Sequence, residues 1–163
     1  MLKHNIDGAG IYTLIIGVYR PSRIKVGKLG CLDLAEGFYT YTGSALGKST
    51  NLKTRINRHL GLAKKMHWHI DYLLESEDTL VKAIIYVKTR FKGECYVTKG
   101  MERLGEVTVP MRGFGSSDCT NKCASHLHYF PNLSLEEAIS RIINVYSVVF
   151  GSRVTVFYTS EED

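Results

Sequence analysis

Two short triplets, Gly10-Ile11-Tyr12 and Tyr41-Thr42-Gly43, stand ahead of a basic segment that carries Arg55, Arg58 and His59. Phosphodiester hydrolysis needs an aligned water, a base beside it, and positive charge where negative charge develops on the phosphoryl oxygens. These residue types suit each task. Tyr12 or Tyr41 can act as base or as water-orienter. A phenol ionises near pH ~10, so either needs a neighbouring cation to be a base at neutral pH. Arg55 brings a permanently charged planar fork matched to phosphate. Glu94 can hold one Mg²⁺ together with water, since magnesium sites manage with few protein carboxylates.

Each residue also has an ordinary structural reading. Tyrosines pack well on half-buried sheets, an arginine on a helix is commonly a surface residue, and an acid in the first turn of a helix is favoured by the helix dipole. Glu102 is a second, weaker candidate ligand. The order of the two triplets and the basic segment is what favours chemistry over packing.

On those residues the chain resembles the GIY-YIG nuclease family. The runs Thr42-Gly43-Ser44-Ala45, Asn51-Leu52-Lys53-Thr54-Arg55 and Arg58-His59 are similar to the catalytic modules of homing endonucleases and bacterial excision-repair nucleases. Further stretches resemble the stand-alone Uri-type endonuclease branch: Arg58-His59-Leu60, His67-Trp68-His69-Ile70-Asp71, Glu94-Cys95, the run from Gly113 to Cys119, and Ser125-His126-Leu127. The resemblance covers residues 10–130. It implies a divalent-metal-dependent endonuclease acting on DNA, with Mg²⁺ or Mn²⁺ as cofactor. Tyr12 and Tyr41 would sit on adjacent strands of the cleft, Arg55 on the scissile phosphate and Glu94 on the metal, with His59 and His67 as auxiliary groups. The chain departs from the pattern in three places. Tyr12 and Tyr41 are 29 residues apart, residues 46–50 look inserted, and Ser44 stands where some members carry a lysine, with Lys48 nearby. The runner-up is a non-catalytic nucleic-acid-binding module with the same cleft.

Cys119, Cys123, His126 and His128 lie close enough in sequence to suggest zinc. A Cys-x-x-x-Cys without a second ordered pair is, however, a weaker signature than two Cys-x-x-Cys pairs. The simplest expectation is a compact loop of reduced thiols, because four cysteines, Cys31 included, are too few and too scattered for a secreted disulfide scaffold. In the histidine cluster, His67 and Asp71 would share a helix face at i and i+4. The ordinary alternative has Trp68 and His69 packed and Asp71 capping or pairing locally.

A formal charge of +5, from 21 basic and 16 acidic residues, points to a polyanionic partner. The excess is local: residues 48–65 hold Lys48, Lys53, Arg55, Arg58, Lys64 and Lys65 without an acid. Lys48, Lys53, Arg58, Lys64 and Lys65 are therefore the expected nucleic-acid contacts, with DNA favoured over RNA. No apolar run reaches the ~18 residues of a membrane span, and the first ten residues lack a signal-peptide core. A soluble, cytoplasmic protein without membrane partners is expected.

Positioning these groups falls to an expected α+β fold, a small, mostly antiparallel sheet flanked by helices. Residues 10–18 read as a buried strand, 24–26 and 31–34 as a hairpin around Gly27 and Gly30, and 38–42 as a strand closed by Gly43. Asn51 caps a helix with Leu52, Ile56, His59, Leu60 and Ala63 at helical spacing. Residues 68–75 form a second helix, 80–88 a strand, 93–104 a helix presenting Glu94, and 105–125 a loop. Ser134 and Glu137 form a capping box for a final amphipathic helix, followed by a strand pair of 148–150 with 154–158. A nuclease-like domain over 1–130 would thus carry a helix-plus-hairpin extension over 131–163 packed on it.

Overall fold

A computed structural model describes residues 6–61, 65–151 and 153–159. Its centre is β1 (Gly10–Val18), buried along its whole length. Because both its faces are covered, it reads as a nearly continuous apolar run instead of an alternating one. It pairs antiparallel with β4 (Gly37–Ala45) on one side and β5 (Thr79–Lys88) on the other. β6 (Leu127–Phe130) extends the sheet beyond β4, and β7 (Thr155–Tyr158) extends it beyond β5, again antiparallel. The order is β6-β4-β1-β5-β7. A separate ribbon joins β2 (Ser22–Val26) to β3 (Gly30–Leu34) through the 3₁₀ turn Gly27–Leu29.

Helices cover both faces. Tyr12, Leu14, Ile16 and Val18 point to a core shared with α1 (Leu52–Leu60), α2 (His69–Leu74) and the ribbon, through Leu52, Ile56, Ile70, Leu73, Leu32 and Leu34. Ile11 and Ile15 point the other way, to Val97 and Met101 of α3 (Glu94–Glu102) and to Ala138, Ile142 and Val145 of α4 (Leu135–Phe150). The expected α+β architecture is therefore present, and its C-terminal helix contributes to the core of the sheet.

Local chemistry sets the helix starts. Asn51 Oδ1 accepts the Thr54 N–H at 2.9 Å, and Thr54 Oγ1 accepts the Asn51 N–H at 3.1 Å. Ser134 and Glu137 make the reciprocal pair at the head of α4, at 3.1 and 2.8 Å.

Several expectations change. Residues 148–150 are not a strand: the spacing of Ile142, Val145 and Val149 carries the helical face onward, so α4 runs to Phe150 and stops at Gly151, whose φ of 81° suits glycine. The expected hairpin is thus a helix end followed by β7, which adds to β5. β4 continues through Gly43 to Ala45, and the turn-rich segment ahead of β6 leads into a strand that the sequence reading leaves out. His67 precedes α2, so it does not share a helix face with Asp71. Ala63 and Lys64 lie outside the described residues. Among the described residues no helix is long and apolar enough to cross a membrane.

Candidate functional site

Beside the β1–β4 pair lies a cavity of about 460 Å³, and Tyr12, Tyr41, Arg55, Glu94 and Trp68 all reach its wall. Both motif glycines allow a close approach, Gly43 at the cavity wall and Gly10 beneath α1. In the register Tyr12 faces Gly43, and a Cβ on Gly43 would come within 2.5 Å of the Tyr12 hydroxyl. A Cβ on Gly10 would strike the Val87 carbonyl and Leu52 of α1. The glycines at the outer ends of the triplets are therefore fixed by close approach of a ring and of a helix. Thr42, between them on the opposite face, bonds Thr13 Oγ1 at 2.9 Å, and Thr13 in turn bonds the Tyr146 hydroxyl at 2.7 Å. This buried chain ties β4 and β1 to α4.

Burial raises the Tyr12 phenol well above its ordinary pKa, Tyr41 beside it adds to the rise, and Arg55 opposes it only in part. Tyr41 is raised by burial and by Glu94. The condition set for either phenol to act as a base, a cation strong enough to lower its pKa, is not met by Arg55 against burial, so both remain O–H groups at neutral pH. The Tyr12 hydroxyl and His59 Nε2 are hydrogen-bonded at 2.7 Å, and with Nε2 unprotonated the phenol is the donor. His59, on the inner face of α1, is itself buried.

Arg55 and Arg58 lie one turn apart on α1, and both guanidiniums lie over the Trp68 ring, at 4.5 and 4.1 Å from its centroid. Their partners differ. Arg58 makes a two-pronged bond to Asp71, at 2.7 and 2.9 Å, and the Asp71 carboxylate is fully buried. Asp71 also accepts the N–H groups of His67 and Trp68 at 2.9 and 2.8 Å. Burial pushes the Asp71 carboxyl upward, but the Arg58 hydrogen bonds and those two N–H groups outweigh it and hold it at about 2. Arg58, expected among the nucleic-acid contacts, is thus engaged in an internal ion pair. Arg55 faces the cavity, and its buried Nε has no hydrogen-bond partner among the described residues.

Glu94 opens α3 and is 23 % exposed, with Oε1 2.9 Å from His126 Nδ1. Glu102, the weaker candidate ligand, instead meets His128 Nε2 at 3.1 Å. His67 is exposed and its ring lies tilted against Trp68, 5.7 Å between centroids, outside the cavity wall. His69 accepts the Gly115 N–H on Nδ1 at 2.9 Å, latching the glycine-rich loop to α2. Lys48, Lys53 and Lys65 are exposed, before, on and after α1.

Among the cavity-wall residues to which the sequence reading gave no site role are Trp68, the platform for Arg55, and Lys92, Asp118 and Cys95. The signal for Cys95 was its place beside Glu94. The expected zinc set also changes, because Cys95, Cys119, Cys123 and His126 draw together while His128 turns to Glu102. The expectation of four reduced thiols does not hold either: Cys95 and Cys123 are joined as a disulfide, with Cα atoms 6.1 Å apart.

The model of a family described as a domain of unknown function, DUF123, matches residues 11–148. No curated protein and no solved structure matches the chain.

Proposed function

We propose, from the premise that the chain belongs to the DUF123 family, that it is a divalent-metal-dependent endonuclease of GIY-YIG type that hydrolyses phosphodiester bonds in DNA. One observation carries this reading. Arg55 is held over Trp68 at the wall of a cavity shared with Tyr12, Tyr41 and Glu94, and its buried Nε has no hydrogen-bond partner among the described residues. An arginine pre-ordered by stacking, with donors left unused, is a seat for an anion such as phosphate.

Each residue has a task in that reaction. Arg55 neutralises the phosphoryl oxygens as charge builds on them. Tyr12 keeps its proton, donates it to His59, and presents its oxygen lone pairs to the attacking water. As the water attacks, its proton passes to the Tyr12 oxygen while the Tyr12 proton moves to His59 Nε2. Tyr41, also protonated, is a second hydrogen-bond donor to the phosphate. Glu94, with Asp118 on the same wall, suits Mg²⁺ or Mn²⁺: the donors are hard oxygens, and partial exposure lets the ion keep most of its waters. Such an ion supplies charge neutralisation at the phosphoryl and leaving oxygens.

The second reading, a binding module that does not cut, is favoured by one observation: the carboxylate expected to hold the metal is already within 2.9 Å of His126. Labelled single-stranded, duplex and branched DNA, with matching RNA, separates the two readings when incubated in Mg²⁺ or Mn²⁺ with wild type, Arg55→Ala and Glu94→Ala. The nuclease reading expects metal-dependent cutting of DNA that both variants lose. Salt-sensitive binding with no cutting by wild type would replace it with the binding module, and cutting confined to RNA would change the substrate.

A further inference from the structure

Behind Glu94, the same wall of the cavity holds a group of soft ligands that the proposed reaction does not use. Cys95 follows Glu94 in the first turn of α3, and the segment before β6 returns to it with Cys119, Cys123 and His126. Their ligand atoms all lie within 4.8 Å of one another. Cys119 Sγ is 3.2 Å from Cys95 Sγ, and Cys123 Sγ is bonded to Cys95. His126 is buried; its Nδ1 lies 2.9 Å from Glu94 Oε1, and among the described residues neither ring nitrogen has a hydrogen-bond partner.

A disulfide uses two of these sulfurs and accounts for neither the third nor the histidine. Packing alone has no reason to bring a third thiol and a buried imidazole to the same point. A tetrahedral zinc ion accounts for all four, since Zn–S bonds of about 2.3 Å place thiolates about 3.8 Å apart. The geometry points to a structural Zn²⁺ site formed by Cys95, Cys119, Cys123 and His126 in the reduced protein.

The disulfide and the ion are exclusive uses of the same sulfurs. Passing from one to the other takes two electrons and two protons from a dithiol reductant, which leaves as its own disulfide. Metal binding then releases the thiol protons of the three cysteines. Three thiolates and an imidazole suit zinc better than magnesium or manganese, which prefer oxygen. Four protein ligands leave no open position, so the ion fastens the loop to α3 and takes no part in cleavage. Glu94 beside His126 Nδ1 matches the carboxylate that commonly orients a metal-bound histidine. The site is independent of the nuclease reading, because it requires only the four ligands.

The test is metal content. Full-length protein purified with a dithiol reductant and excess Zn²⁺, then dialysed, is expected to retain about one zinc per chain by mass spectrometry. Cobalt in its place is expected to give the intense thiolate charge-transfer bands and visible bands of a tetrahedral Co²⁺ ion. Cys95→Ser and Cys119→Ser should lose the metal, whereas Cys31→Ser and His128→Gln should keep it. Glu94→Ala should weaken zinc binding by about 10–100-fold. If the cysteine variants fail to fold, wild type still decides: a mercurial should release zinc as three thiols react, leaving the exposed Cys31 outside the correlation. Three results would overturn the proposal. They are no retained zinc in reduced wild type, a Cys95–Cys123 bond that survives the reductant, or retention in Cys95→Ser with loss in His128→Gln, which would return the ligand set to Cys119, Cys123, His126 and His128.

Discussion

Tyr12 shows how burial decides a role that sequence leaves open. Its ring belongs to the core, its hydroxyl reaches the cavity, and burial first, then Tyr41, keeps it protonated. In the proposed reaction its use would therefore lie in its O–H and lone pairs, with His59, 2.7 Å away, to receive the proton. Tyr12→Phe should leave the fold intact and lower single-turnover cleavage by about 10²–10⁴-fold, the usual range for one acid–base group. Undiminished cleavage by a folded variant would remove Tyr12 from the proton path. Asp71 carries a different consequence. Its folded pKa, about 2, lies below the unfolded reference of 3.8, so the unfolded chain binds the proton more tightly. The stabilisation is fully present above pH ~4 and fades as pH falls through about 2, an effect on the order of 2 kcal/mol. Asp71→Asn should therefore melt lower than wild type near neutrality, and the gap should shrink on acidification through that window. A gap independent of pH would mean that the carboxylate charge is not what holds Arg58.

At the scale of elements, the triplets are legible because each of their residues answers to one neighbour. Gly43 accommodates the Tyr12 ring, Gly10 accommodates Leu52, and Thr42 joins a buried hydroxyl chain with Thr13 and Tyr146. Gly43→Ala should overpack the site by about 1–3 kcal/mol and push Tyr12 off His59. Cleavage should then fall far more than the melting temperature; a variant that melts lower yet cuts normally would show that the ring has another way to settle. Strand β1 and helices α1 and α2 could be read from periodicity and caps because local pattern and tertiary partner agree there. The end of α4 could not, since Val148-Val149-Phe150 is β-branched and aromatic and reads as strand. Only its packing beside Val145 and Tyr146 makes it helix. β6 escaped because its four residues include His128, a polar residue whose burial depends on Glu102, distant in sequence. The thiol cluster was misassigned for the same kind of reason: closeness in sequence favoured His128, whereas the fold brings Cys95 from α3.

The whole molecule sets how nucleic acid would be held, and here the charge reading needs the structure to be made quantitative. The +5 excess does not act as a uniform field, because several cations already face an acid: Arg58 is held by buried Asp71, and at the surface Arg20 pairs with Asp78, Arg23 with Asp33 and Arg141 with Glu106. Among the described residues, Arg55 and Lys92 line the cavity, and the exposed Lys48, Lys53 and Lys65 lie on or beside α1. If these five meet phosphates, log Kobs for duplex DNA should fall against log[salt] with a slope of about −4 to −5, measured with Ca²⁺ in place of a cleavage-supporting ion. Lys53→Ala should reduce the slope by about one unit, since each lost contact frees one fewer counterion. Arg58→Ala should instead lower the melting temperature by stranding Asp71. In the proposed complex these five cations would meet backbone and not base edges, so affinity should vary little among duplex sequences of equal length. A flat salt dependence would place the DNA away from α1, and strong preference for one short sequence would require a base-reading element that these cations do not provide.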